Sequence, residues 1–178
     1  MNNTAINTLM YTGLVTISQY RGSKKVELLQ SHNSGANPLF NFLSDCLVGN
    51  FDTANRNMPT KIRLLVKEKD QNGNVISNRY TAATRDFIYL TTNPEKMSSS
   101  SQGELHSAVR YSFKISKDMI IEENFDGIGL YTDSAEDINN FAAYCNVTQD
   151  ELRVAGLSAS SVLVVDWLLT ISNKDGDL

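Results

Sequence analysis

Alternation of apolar and polar positions dominates this chain, and it predicts strands. The cleanest case sets Leu105, Ser107, Val109, Tyr111, Phe113 and Ile115 against His106, Ala108, Arg110, Ser112 and Lys114, a two-residue period with one buried face. After Pro59, Ile62, Leu64 and Val66 alternate in the same way with Lys61, Arg63, Leu65 and Lys67. Leu9 to Tyr20 and Lys25 to His32, separated by Arg21-Gly22-Ser23-Lys24, read as a hairpin. Asp126 to Tyr131 reads as a short strand whose glycines permit close backbone approach. Ser161 to Ser172 is apolar on both faces around the single tryptophan, Trp167, which places it inside the sheet system and away from an edge.

One segment changes period. Leu39, Phe40, Leu43 and Leu47 fall at helical spacing, Phe42 and Cys46 widen the stripe, Asn37 and Pro38 supply a start and Gly49 a stop. This helix is expected to pack over an end or open face of the strands. Ser134 with Asp137 predicts a short capped helix burying Ile138, Phe141 and Ala142, and Thr148 to Ala155 predicts a further turn before Gly156. Asn33 to Asn37 reads as a loop, and Asn72-Gly73 as a hairpin turn whose two positions can take positive φ. Asn93 to Glu104, with Pro94 and the serines 98–101, reads as a projecting excursion ordered mainly by a partner, because it carries too little apolar surface to order itself. Together these elements predict a mainly β chain: one β-sandwich-like domain over residues 1–178 with one packed amphipathic helix and short additional helical turns.

Composition narrows the function classes. A length of 178 residues, 41% hydrophobic and 20% charged, suits one well-buried globular core. The net charge of -4 opposes general attraction to nucleic acid, which relies on Lys and Arg releasing counterions. The opening residues lack the pattern of a secretion signal, and no apolar run reaches membrane-spanning length, so synthesis in a cytoplasm without membrane insertion is expected. Cys46 and Cys145 each sit among apolar neighbours and read as two small buried side chains.

Candidate chemistry adds little to this outline. His32 and His106 are the only histidines, and neither has a nucleophile signature beside it. Asp126, Asp133, Glu136 and Asp137 could in principle collect a hard cation, but their spacing lacks the alternating ligands and central glycine of a calcium loop. Lys61, Arg63, Lys67 and Lys69 share a strand face, readable as a solvated face or as a patch for an acidic protein surface. Tyr11, Tyr20, Tyr80, Tyr89, Tyr131 and Tyr144 are expected in core and interface positions in preference to a sugar platform. No catalytic, cofactor-binding or metal-ligating residue is assigned, and no enzyme activity is expected.

Three stretches together carry a family resemblance: Gly13-Leu-Val-Thr-Ile-Ser18 with its hairpin; His32-Asn-Ser-Gly35 leading to Leu39-Phe-Asn-Phe-Leu-Ser-Asp-Cys-Leu-Val-Gly49; and Val164-Val-Asp-Trp-Leu-Leu-Thr-Ile171. Their layout resembles small structural proteins of tailed bacteriophage virions, in particular short-tailed gut phages of the crAss-like type. The resemblance implies a β-sandwich subunit that decorates the capsid or joins neck, tail and fibre components. It also implies no cofactor, location in the virion after synthesis in the host bacterial cytoplasm, and self-association or docking on capsid, neck or tail subunits. A carbohydrate-binding receptor module is the alternative from another class, and an exposed ring cluster would distinguish it.

Overall fold

The computed structural model describes residues 8–35, 37–50, 52, 54, 57–101, 104–158 and 161–174, leaving aside the side chains of residues 8–11, 37, 47, 98–101, 104–107 and 171–174. Its strands are β1 (Thr8–Arg21), β2 (Lys24–Gly35), β3 (Pro59–Lys69), β4 (Val75–Ala82), β5 (Ile88–Tyr89), β6 (Glu95–Ser101), β7 (Glu104–Ile115), β8 (Gly127–Thr132), β9 (Ala143–Cys145) and β10 (Leu163–Lys174). Helix α1 spans Asn37–Leu47 and α2 spans Gln149–Val154. The fold is mainly β and sandwich-like, with all strand pairings antiparallel among the described residues.

The larger layer runs in the order β2, β1, β10, β7, β6, and the smaller in the order β4, β3, β8, β9, β2. Strand β2 belongs to both. It pairs with β1 as far as Leu14 opposite His32, then with β9 from Asn33 opposite Cys145 to Gly35 opposite Ala143. At this crossing a Cβ on Gly13 would lie 1.5 Å from Oδ1 of Asn33, so only glycine leaves room for the Asn33 side chain where β2 changes layer. The other edge is joined as well. β5 pairs with β3 at Ile62 opposite Ile88, and Leu90 bridges to Phe113 of β7, with the Thr91 amide donating to Ser112 at 2.9 Å.

Between the layers, period-two alternation does what the sequence predicts. Val15 and Ile17 of β1, Tyr111 and Phe113 of β7, and Val165 and Trp167 of β10 meet Ile62 and Leu64 of β3, Ile128 and Leu130 of β8 and Cys145 of β9 in one cluster. Helix α1 places Leu39 in that cluster with no exposure, while Phe42 and Leu43 pack against its rim. Gly49 follows at φ 76. Helix α2 is held by a capping box in which the Glu151 amide donates to Thr148 Oγ1 and the Thr148 amide donates to Glu151, and Gly156 follows at φ 94.

Several expectations are corrected. Residues 33–35 continue β2 and form no loop. The projecting excursion at 93–104 is instead strand β6, paired over its whole length with β7 from Glu95 opposite Arg110 to Ser101 opposite Glu104. Serine has little intrinsic strand preference, and the long neighbour supplies the ladder. The helix expected from Ser134 is absent: the Asp137 carboxylate accepts the Asn139 amide at 2.9 Å, so the capping signature closes a local turn. At 70–74 the turn is organised by Asp70, whose carboxylate accepts the amides of Asn72 and Asn74, and positive φ falls on Gly73 but not on Asn72.

Removing buried side-chain volume without collapse of the site costs transfer and cavity terms together. Leu39→Ala is therefore expected to lower stability by about 2–5 kcal/mol, read as a reduced denaturation midpoint at unchanged slope. A variant that melts like the parent would show that α1 is not docked.

Candidate functional site

The basic strand face on β3 is consumed within the fold. Lys61 is buried, donates from Nζ to the Asp133 carbonyl at 2.9 Å, and lies 4.5 Å from the Phe87 ring centroid. Arg63 stacks at 4.8 Å from the same ring and donates to the carbonyls of Thr84 and Arg85 at 3.2 and 2.8 Å. Lys67 reaches Asn146 Oδ1 at 3.4 Å. A ring cluster covers the rest of this outer face: Tyr80 meets Phe141 edge-on at 5.7 Å and Tyr144 at 5.1 Å, and Tyr131 meets Phe87 edge-on at 5.0 Å. Tyr144 lies flat against β8 because a Cβ on Gly127 would sit 2.3 Å from its hydroxyl oxygen. Its hydroxyl donates to the Asp126 carbonyl, and that of Tyr131 donates to the Ile138 carbonyl. Burial, reinforced for Tyr144 by the neighbouring Tyr80, raises both phenol pKa values above the ordinary 10. The smaller layer is thus roofed by its own aromatics, and the solvated or partner-binding reading of Lys61 and Arg63 is corrected.

The other candidates do not converge. His32 is exposed on β2. His106 stands opposite Ser172 and Ser99 in the ladder, and its side chain lies outside the described residues. Asp126 accepts the Lys67 amide at 2.9 Å and Asp133 accepts from Thr60 at 3.3 Å, so these carboxylates serve the β3–β8 contact. Among the described residues no three His, Cys, Asp or Glu side chains form a group able to hold a metal ion. Tyr20 and Tyr89 are the exposed tyrosines among those described, and they occupy the β1 tip opposite Lys25 and strand β5 opposite Lys61. Tyr11 has no described side chain. Cys145 is buried as expected. Cys46 is exposed on α1, contrary to expectation: it shares the face of Leu39 and Leu43, but burial along that face falls from Leu39, which is buried, through Leu43, which is half-buried, to Cys46 near the end of the helix.

Among the described residues, what remains uncovered is the outer face of the larger layer. Leu14, Leu168 and Met97 flank a shallow cleft of about 370 Å³, crossed by charged side chains. Asp166, at the centre of the face on β10, accepts from both Lys25 Nζ of β2 and Ser112 Oγ of β7, while Arg110 of β7 pairs with Glu95 of β6. These contacts lace β2, β10, β7 and β6 together across their outer side, so the face is rigid as well as open. With about 3.3 Å per residue and about 4.8 Å between strands, β1, β7 and β10 run about 40 Å, β2 and β6 run less, and the five strands span about 20 Å across. A face of these dimensions comes close to the roughly 800 Å² that one partner contributes to a standard protein interface. Nothing in the sequence pattern marked this face, because Thr16, Ser112 and Asp166 read only as the polar half of each alternation. Comparison with family models, with curated proteins and with solved structures finds no match.

The thiols and phenols give two measurable consequences. A thiol reagent should titrate one cysteine, Cys46, in the native protein and two after denaturation; immediate reaction of both would contradict the burial of Cys145. Burial pushes the Cys145 thiol up to about 11 from 9.0, and Tyr131 and Tyr144 are also raised. Each therefore binds its proton more tightly folded than unfolded, so the stability they contribute is fully present below pH 9 and is lost progressively as pH rises towards 11 and beyond. The denaturation midpoint should fall across that window, and Cys145→Ala should flatten its lower part.

Proposed function

We propose that this protein is a noncatalytic structural subunit of a bacteriophage virion, a capsid auxiliary or decoration subunit that acts through repeated protein contacts. The observation that carries the reading is the contrast between the two layers: one is sealed by its own rings, while the other presents a broad, laced, uncovered face of interface size. A rigid sheet face suits stoichiometric docking because little ordering entropy is lost when it binds. The sequence's resemblance in layout to small virion proteins suggests the setting. In such a setting many copies act together, so each contact can be modest and the assembly still holds.

Quantitative mass spectrometry of purified particles should find the protein in many copies at fixed stoichiometry. Its absence from particles would overturn the reading. Charge reversal at the centre of the face, Asp166→Lys, should leave the fold cooperative yet reduce the copy number retained on particles, because it sets a like charge against Lys25 and against any partner matched to this face.

A further inference from the structure

Strand β6 is the outermost strand of the larger layer, and among the described residues no strand lies on its far side. Such an edge is a row of unpaired backbone donors and acceptors, and folded proteins blunt it with charge, proline, bulges or a covering element. The other open edges are blunted here. Over residues 24–32, β2 carries Lys24, Lys25 and Glu27 before it turns to pair with β9. Strand β4 is interrupted by Asn78 at φ 57 and carries Arg79. In β6 the proline, Pro94, precedes the strand, Glu95 is engaged by Arg110, and only Lys96 adds a further charge. Residues 97–101 hold no charge and no proline, and the strand pairs with β7 without a register shift, so it is straight as well as unguarded.

We propose that β6 pairs with β6 of a second copy of this chain, antiparallel, about a two-fold axis through Ser98. The proposal stands on this edge alone and does not need the virion reading. With the axis at Ser98 every residue of the strand gains an opposite number: Glu95 faces Ser101, Lys96 faces Ser100 and Met97 faces Ser99. No like charges oppose each other. Parallel in-register pairing would set Glu95 against Glu95 and Lys96 against Lys96, which is unfavourable at cross-strand distance. A two-fold contact is self-complementary and closed, so it uses the edge in both copies and leaves none for further growth on that side. The five strands of each copy then form one continuous sheet, and the clefts beside Met97 lie on the same side of it. A ladder this short makes a small interface, so the dimer is expected to be weak and concentration-dependent.

The test uses the full chain with Cys46→Ser, which removes the exposed native thiol and leaves Cys145 in the core. One cysteine is then introduced by Ser98→Cys or, for comparison, by Ser101→Cys. Residues opposite one another in an antiparallel ladder have Cα atoms about 4.5–5.5 Å apart, within disulfide range, whereas two copies of position 101 would be separated by about 20 Å along the strands. Under mild oxidation Ser98→Cys should give the disulfide-linked dimer at least tenfold faster than Ser101→Cys. Sedimentation velocity of the protein without introduced cysteines should show a dimer that grows with concentration, and Ser98→Lys, which sets two lysines face to face at the axis, should shift it to monomer. A monomer at every concentration, a dimer unaffected by Ser98→Lys, or cross-linking at Ser101→Cys as fast as at Ser98→Cys would each overturn the proposal.

Discussion

The whole sandwich depends on β10, the last strand in sequence and the middle strand of the larger layer. It pairs with β1 from Gln19 opposite Leu163 to Thr8 opposite Lys174, and with β7 from Ile115 opposite Leu163 to His106 opposite Ser172. Without it the β1–β2 hairpin and the β6–β7 hairpin are separate ribbons. Joining strands so distant in sequence costs loop entropy and slows folding, so burial must offset it. Trp167 shows how. Its indole N-H is buried with no hydrogen-bond partner, a cost of about 1–3 kcal/mol. A tryptophan ring nevertheless removes about 150–250 Å² from water, worth about 4–6 kcal/mol at ~25 cal/mol per Å². Volume wins over the orphaned donor, and the ring fixes the central strand.

Ties between the layers at two places then decide which surfaces are left for partners. β2 crosses between layers at Gly13 and Asn33, and Leu90 ties β5 to β7, so neither layer can slide or swing open against the other. On the smaller layer the rings of Tyr80, Phe87, Tyr131, Phe141 and Tyr144 lie over the outer side, and Lys61 and Arg63 spend their charge on carbonyls and on the Phe87 face. Cations held in this way are poor steering charges, because their donors are already engaged. Among the described residues the larger layer has no such roof, and Lys25 pairs with Asp166 and Arg110 with Glu95 laterally between its strands.

Long alternations were legible because period and burial coincide: β3, β7, β8 and β10, the first hairpin and helix α1 all stand where apolar spacing put them. The misreadings share another cause. Serines 98–101 have weak strand preference, so β6 exists only because β7 extends beside it, and that neighbour is invisible in a local pattern. Strand β9 is three residues long, too short for any period to register. Asp137 could cap a helix or close a turn, and the contact of Asn139 Oδ1 with the Tyr80 amide selects the turn. Lys61 reads as a surface cation in any alternation, and only Phe87 and the Asp133 carbonyl, brought in from other elements, explain its burial. The uncovered face was illegible for the complementary reason: a polar half-strand looks the same whether water or a protein lies over it.

An edge made of serines also answers a difficulty that an apolar edge would raise. A long hydrophobic edge pairs with almost any exposed strand and is an aggregation hazard. A serine ladder supplies backbone bonds with little side-chain drive, so encounter with an arbitrary strand gains little beyond the ordering it costs. Pairing of such an edge becomes favourable where the partner strand arrives in matching register and at high effective concentration. Free copies meet them only weakly, as a concentration-dependent dimer, and neighbouring copies held on a common surface would meet them better, because docking through the uncovered face of the larger layer would fix their orientation. Edge and face are therefore separate contacts in this reading: the narrow one joins two copies weakly by itself, and the broad one, once docked, raises the effective concentration at which that pairing acts.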